Sequence, residues 1–151
     1  MNVEELDALV GAARAQRAAM EQLPGVTLFD FWTASDEDLA NAEFVLATRL
    51  PEQYKDFMRR YGGGQFLFMD ILPVASPDGR AEDLLAVNRF SMADSGFVAV
   101  APVGTGDWWG FVSNDGICED RVCFRDHEDG HVENAASDFF EFVAHQGLRI
   151  A

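Results

Sequence analysis

The stretch Leu50–Gly64, LPEQYKDFMRRYGGG, predicts a short helix with sharp boundaries. Pro51 suits the first helical position, where its missing backbone N–H leaves no hydrogen bond unmade. The apolar side chains of this stretch recur at helical spacing on one face, at Tyr54, Phe57, Met58 and Tyr61. The run Gly62–Gly64 ends the helix, because glycine adopts positive φ without steric cost. We assign these residues, with Leu50, to the stability of the fold.

Three further segments of the chain have the pattern of a helix. Residues 2–22 form an amphipathic, alanine-rich segment. Residues 35–48 form a second one, in which Ser35 is the predicted N-cap and Asp38 completes a capping box. The last predicted helix spans residues 137–147, with Ser137 as its N-cap.

Beyond Gly64 the chain has the pattern of strands separated by turns. Runs of strand length and composition lie at 65–72, 97–103, 108–113, 117–124 and 131–132. Turn signals lie at Ser76–Gly79, Asn114–Gly116 and Asp126–Gly130. Two segments stay open: residues 26–31 are a short strand or an apolar connector, and residues 83–88 are a short helix or the lead into a strand.

The order of these elements predicts the fold class. Helices come first, strands follow, and one helix closes the chain, so the βαβ alternation of a parallel sheet is absent. We therefore expect an α+β fold, in which a mainly antiparallel sheet packs against N-terminal helices and one C-terminal helix. The 151 residues are of ordinary size for one domain, and we expect residues 1–151 to form a single domain.

The charge balance limits the classes of partner. The formal net charge is −15, from 26 acidic and 11 basic residues. This charge repels nucleic acid and anionic membranes and favours encounter with a basic protein, although a merely acidic soluble protein has the same composition. No run approaches the roughly 18 apolar residues of a membrane helix, and no signal-peptide pattern opens the sequence. We expect a cytoplasmic protein in which Cys118 and Cys123 are free thiols.

Two kinds of chemical site can be considered and neither is favoured. The segment Asp126–His131 is dense in carboxylates and imidazoles, but its glycine and flanking strand signals predict a solvated turn, without the calcium-loop pattern. Cys118 or Cys123 with His127 supplies the residue types of a hydrolase, although no local signature surrounds either cysteine. We expect no catalytic residue, no metal and no cofactor.

Four landmarks of the sequence occur in an order that resembles the SUKH superfamily. The first is the Leu-Pro helix with its terminal glycines. The others are Asn41-Ala42-Glu43 in the preceding helix, Thr105-Gly106-Asp107 before a strand, and Ser137-Asp138-Phe139 at the last helix. The resemblance covers about residues 35–146. It implies an α+β fold, a sheet with helices packed against it, and a family that includes bacterial immunity proteins against polymorphic toxins and fungal regulators of cell-wall synthesis.

The resemblance implies a non-enzymatic immunity protein that binds and neutralises a cognate toxin domain, for which a nuclease with a basic groove is one possibility. An intracellular scaffold or regulatory module of the same fold is the alternative, and a small hydrolase is less favoured. Adjacent Trp108 and Trp109 point to opposite sheet faces, so either one of them is an interface anchor or both rings pack internally. The expected partner-binding residues are Asp107, Trp108, Trp109, Asp115, Glu119, Asp120, Asp126, Glu128 and Asp129. We expect a monomer or weak homodimer.

Overall fold

The computed structural model describes residues 1–76, 82–91 and 95–150. Helices α1 Val3–Gln16, α2 Ala18–Glu21, α3 Asp36–Leu46 and α4 Glu52–Arg60 come first. They are followed by strands β1 Gly64–Phe66 and β2 Met69–Ile71, and then by helix α5 Leu84–Ser91. The remaining elements are β3 Phe97–Pro102, β4 Trp108–Asn114, β5 Ile117–Cys118, β6 Val122–Arg125, β7 Val132–Ala136, α6 Phe139–Phe142 and a π-helical turn, Val143–Gly147. The predicted α+β class is confirmed.

The larger sheet has the strand order β3-β4-β6-β7, with β5 paired to β4, and all of these pairings are antiparallel. Strands β1 and β2 form a separate antiparallel pair. The backbone N–H of Leu72 donates to the carbonyl of Val100 at 2.9 Å, which joins this pair to the edge of the larger sheet.

Apolar side chains cover both faces of the larger sheet. On one face, α4 and α6 bring aromatic rings together, and the Phe139 centroid lies 5.1 Å from Tyr54 and 5.2 Å from Phe57. The α5 residue Val87 belongs to a second cluster on the opposite face, which includes Leu72, Phe97, Ala99 and Cys123. Each face of the larger sheet therefore carries its own apolar cluster.

The Leu-Pro helix has the predicted shape, displaced by one residue at its start. Pro51 occupies the N-cap position and α4 begins at Glu52. At the other end Gly62 has φ +88° and its N–H donates to the carbonyl of Phe57 at 3.0 Å, as expected for a glycine that ends a helix. The capping box of Ser35 and Asp38 at α3 and the turn at Asn114–Gly116 are also confirmed.

Two of the predicted strands are wrong, because the structure divides each of them into two shorter strands. Residues 65–72 form a hairpin, because Leu67 takes φ +54° and its N–H bonds to the Leu28 carbonyl at 2.8 Å. Residues 117–124 divide into β5 and β6, separated by residues 119–121. The predicted strand at 131–132 is β7, which begins at Val132 and continues to Ala136.

Two helix predictions need correction. The N-terminal segment is interrupted at Arg17, whose backbone leaves the helical region, and α2 follows as a separate turn. At the last helix the N-cap is Asp138 rather than Ser137: the Asp138 Oδ1 atom accepts from the backbone N–H of Glu141 at 2.8 Å. A longer reach and a full charge favour aspartate at this position.

The structure also decides the open segments. Residues 84–91 are helical, whereas the stretch around Phe29 and Trp32 forms only isolated bridges to Phe66 and Gly63. The predicted turn at Ser76–Gly79 extends outside the described residues. Among the helices of the described part of the chain, none combines the length and hydropathy needed to cross a bilayer.

Candidate binding surface

The predicted acidic residues separate into two groups at opposite ends of β4. Asp107 precedes this strand and Asp115 follows it, so the two lie roughly 25 Å apart at ~3.3 Å per residue. We call the group Asp107, Asp126, Glu128 and Asp129 the Asp107 end, and the group Asp115, Glu119 and Asp120 the Asp115 end. The nine predicted residues therefore do not form one continuous surface.

At the Asp107 end, strand register brings two turns together. Trp108 on β4 is opposite Arg125 on β6, so the residues just outside the strands, Asp107 and Asp126, are neighbours. The Asp107 carboxylate accepts from the Thr105 hydroxyl at 2.6 Å and from the His127 backbone N–H at 2.9 Å. It also lies 2.6 Å from the His127 Nδ1 atom. Asp107 thus connects the β3–β4 turn to the β6–β7 turn.

The hydrogen bonds of Asp107 fix its charge. The Thr105 hydroxyl, followed by the side chain and the backbone of His127, lowers the pKa of Asp107 to about 2. The same contact raises the pKa of His127 above its ordinary value. A carboxylate that accepts several hydrogen bonds is stabilised in its ionised form. Asp107 is therefore negatively charged throughout the physiological pH range, and it acts as a connector of the two turns.

The other carboxylates of the Asp107 end shape the β6–β7 turn. Asp126 Oδ1 accepts from the backbone N–H of Glu128 at 2.7 Å, and Asp129 Oδ1 accepts from that of His131 at 2.8 Å. Such side-chain acceptors stabilise turns by mimicking a backbone carbonyl. The Glu128 side chain is exposed. The turn therefore holds two of its three carboxylates in defined positions, while the third, on Glu128, extends into solvent.

The potential metal ligands at this end are Asp107, Asp126 and His127, whose ligand atoms all lie within 4.8 Å of one another. Hydrogen bonding within the turns accounts for this proximity, since the His127 Nδ1 atom is already in contact with Asp107. The cluster is open to solvent, with His127 exposed. The absence of a metal stays a prediction.

Trp108 and Trp109 lie on opposite faces of the sheet, as predicted. Trp109 packs with the main core and contacts the Phe142 ring edge-on, at 5.4 Å between centroids. Trp108 packs with the second cluster beside Val112 and Val132. Both rings are half-buried, so neither is a fully exposed anchor.

Trp109 also borders a recess that the sequence did not indicate. A cavity of about 210 Å³ is lined in part by Phe68, Trp109, Gln146 and Arg149. The guanidinium groups of Arg17 and Arg149 lie 5.6 and 5.5 Å from the centre of the Phe68 ring. The sequence analysis missed Phe68 because its segment has the pattern of a single strand. The ring is exposed because this segment instead forms the β1–β2 hairpin, with Phe68 in its turn.

At the Asp115 end the carboxylates are less uniform. Asp115 has φ +53° in the β4–β5 turn and is exposed. Glu119 accepts from Arg121 at 2.6 Å and from the Asn114 amide at 3.2 Å, so much of its charge is compensated. Asp120 is exposed. Arg121 therefore compensates part of the negative charge at this end.

The two cysteines do not resemble activated nucleophiles. Both are free thiols, as predicted, and both are buried. Burial raises the pKa of Cys118 and of Cys123. A reactive cysteine has the opposite property, a lowered pKa in a partly exposed and electropositive setting. The geometry therefore gives the hydrolase alternative no support.

The fold is of the class that the resemblance implied, an antiparallel sheet with helices packed against it. The chain belongs to the SMI1-KNR4 cell-wall family, SUKH_6, whose sequence profile matches residues 36–143. No curated protein matches the sequence. The matched region runs from α3 to the C-terminal helix, and it includes both ends of β4.

Proposed function

We propose that this chain is a non-enzymatic immunity protein, which binds a toxin domain encoded beside it and neutralises that domain by obstruction. Membership of the SMI1-KNR4 family supports this proposal, because the superfamily that the sequence resembles includes such immunity proteins. The net charge of −15 favours a basic toxin, for example a nuclease with a positively charged substrate groove.

The observation that carries the proposal is the fixed geometry of the Asp107 end. Hydrogen bonds to backbone N–H groups hold the carboxylates of Asp107, Asp126 and Asp129 in place before any partner arrives. A surface ordered in advance loses little conformational entropy on binding. The structure thus offers a preorganised negative surface of the kind that a basic groove would bind.

The recess beside Trp109 supplements this charge. Val103 and Gly104, which lead into the β3–β4 turn, line the same cavity as Trp109. Charges at the edge of an interface act mainly on the association rate, whereas buried aromatic contacts act mainly on the lifetime of the complex. We therefore assign steering to the acidic turn and retention to the recess.

Co-expression tests the proposal directly. The product of the neighbouring reading frame is expressed in cells with and without this chain, and survival is scored. We expect survival only when both are present, and the purified proteins should form a complex. A neighbouring product that is toxic and is neither bound nor neutralised would refute the function, whatever the surface involved.

Neutral variants test the surface without disturbing the turn. The triple change Asp126→Asn, Glu128→Gln and Asp129→Asn keeps each side-chain acceptor and removes three charges. We expect the association rate to fall roughly tenfold at low salt, with the difference disappearing at high salt. The matched control removes three exposed charges elsewhere, by Glu4→Gln, Asp30→Asn and Glu82→Gln. Equal effects of the two triple variants would show that only net charge matters.

The family description favours one alternative, a regulatory module of the same fold connected with the cell wall. Such a module would bind a host protein and would not protect against the neighbouring product. Loss of this chain would then alter cell-wall synthesis in cells that carry no toxin gene. The survival assay and this phenotype separate the two functions.

A further inference from the structure

The outward face of α3 exposes an aromatic ring that has no role within the fold. Phe44 is 84 % exposed, more than the other large hydrophobic side chains of the described residues. Ala40 and Asn41, one turn earlier, are exposed as well, and so is Glu37. Residues spaced by three and four share one helix face. A flat strip of small side chains therefore lies beside a projecting ring.

The β4–β5 hairpin is hydrogen-bonded to the segment that follows α3. The backbone N–H of Arg49 donates to the Gly116 carbonyl, and its carbonyl accepts from the N–H of Cys118, both at 2.9 Å. Ile117, between these two partners, is 57 % exposed. The hairpin thus places a second exposed apolar side chain beside the segment that follows α3. Exposed apolar side chains on neighbouring segments indicate an interaction surface.

The two ends of this face carry opposite charges. Glu37 lies in the first turn of α3, and Arg49 follows the last helical residue by three positions. Neither forms an ion pair with any residue in the described part of the chain. Arg49 contributes to the lowered pKa of Glu52, which depends mainly on Lys55. Glu37 and Arg49 thus give this face a charge of each sign, and the exposed Asp115 lies in the adjoining hairpin turn.

We infer that this face binds a second copy of the chain, with the two α3 helices antiparallel across a two-fold axis. In such a pair, Phe44 packs on Ala40 and Asn41 of the other copy, and Glu37 meets Arg49. The pairing of Phe44 with Ala40 and Asn41 centres near position 42, so one two-fold axis generates both copies of it, as an isologous contact requires. The antiparallel direction also places the acidic first turn of one helix beside the C-terminal end of the other.

Charge favours a second copy over a basic protein at this face. A basic partner gains most from the acidic turns, whereas a second copy supplies an Arg49 for Glu37 and a Glu37 for Arg49. The helix has 11 residues, so the contact is small and the association is weak. Screening of the overall repulsion should strengthen this association as salt rises, the reverse of the response expected for a basic toxin.

Sedimentation equilibrium of the full chain tests the inference, with protein alone. We expect a monomer–dimer equilibrium between ~10 µM and ~1 mM that shifts toward dimer with added salt. Phe44→Glu should weaken association at least ~10-fold, as expected for a central aromatic contact. The matched control is Leu23→Glu, which changes another exposed apolar residue and should leave association unaltered.

A charge exchange tests the antiparallel register. Glu37→Arg and Arg49→Glu should each weaken the dimer, and the double variant should restore it. A monomer at all concentrations, or a dimer that Phe44→Glu does not affect, overturns the inference. Loss of binding to the toxin by Phe44→Glu in a chain that stays monomeric would instead assign this face to the toxin. These results do not depend on the survival assay, so the two proposals can fail separately.

Discussion

The Asp107 carboxylate and the His127 imidazole lie 2.6 Å apart and join the two turns at one end of the sheet. The pKa of His127 is raised, so its stabilising effect is complete below its unfolded pKa of about 6.5 and is lost as pH rises through the folded value. The pKa of Asp107 is lowered to about 2, so its effect is complete above about 3.9 and is lost as pH falls. The pair contributes most between these limits.

Asp107→Asn should therefore destabilise the protein more at about pH 5 than at about pH 8.5, since a larger fraction of His127 is charged at the lower pH. Urea unfolding at both pH values measures the difference. Asp129→Asn is the control, because it keeps the acceptor for the His131 N–H and lies outside the contact between Asp107 and His127. A penalty for Asp107→Asn that is the same at both pH values would contradict the charged pairing.

Asn88 completes the hydrogen bonding of β3 with its side chain. Its buried amide accepts from the Ala99 N–H at 2.7 Å and donates to the Ala99 carbonyl at 2.8 Å. Asn88→Ala leaves both backbone groups buried without a partner, and it should cost about 1–3 kcal/mol in the free energy of unfolding. Asn134→Ala, at an exposed position on β7, should change it by less than about 0.5 kcal/mol. Equal losses of unfolding free energy in the two variants would contradict the role of the Asn88 amide as the hydrogen-bond partner of Ala99.

The two tyrosines of the Leu-Pro helix should respond in opposite directions to the same change. The Tyr54 hydroxyl is buried without a hydrogen-bond partner among the residues that the structure describes, and burial raises its pKa. Tyr61 donates to Asp7, and burial together with this carboxylate raises the pKa of Tyr61 to about 12. Tyr54→Phe removes an unpaired polar group and should stabilise the protein by about 1 kcal/mol.

Tyr61→Phe removes a hydrogen bond to a charged acceptor and should destabilise the protein by about 1–2 kcal/mol. Thermal unfolding of both variants at neutral pH makes the comparison. Destabilisation by Tyr54→Phe would mean that its hydroxyl has a bonding partner after all.

The glycine run is required by close approach of the backbone as well as by its conformation. A Cβ atom on Gly63 would lie 2.3 Å from the Pro73 backbone, and one on Gly64 would lie 2.1 Å from the Asp30 carbonyl oxygen. Gly63→Ala and Gly64→Ala should each cost more than about 2 kcal/mol, because backbone atoms cannot move aside cheaply. Chemical denaturation measures these losses.

Gly11→Ala is the control for this pair of variants. A Cβ atom there meets nothing within 4 Å and lies inside α1. This change should stabilise the protein by about 0.5–1 kcal/mol through the higher helix propensity of alanine. If Gly63→Ala were tolerated as well as Gly11→Ala, the close approach of the Pro73 backbone to Gly63 would be contradicted.

Features that depend on neighbouring residues were predictable from the sequence. The ends of α4 at Pro51 and Gly62, the cap of α3 at Ser35 and the turn at Asp115 follow from the φ angles and donors of a few adjacent residues. The family landmarks are local in the same sense. The fold class followed from the order in which such elements occur.

The exposure of Phe44 could also have been predicted from the spacing of apolar residues in its helix. The buried residues of α3 are Leu39 and Ala42, and Phe44 is out of phase with them at helical spacing. The ring of Phe68 was not predictable, because Leu67 adopts positive φ only when remote segments bind the hairpin. Those contacts are the Leu28 carbonyl for Leu67 and the Gly147 carbonyl for Phe68.

The candidate surface itself depended on strand pairing. Acidic residues close together in the sequence, such as Asp120 and Asp126, lie at opposite ends of β6, because an extended strand separates them. Asp107 and His127 are distant in the sequence, yet the register of β4 on β6 brings them into contact. Local preferences set the turns and caps, whereas the positions of charges relative to one another are set by which strands pair and in which register.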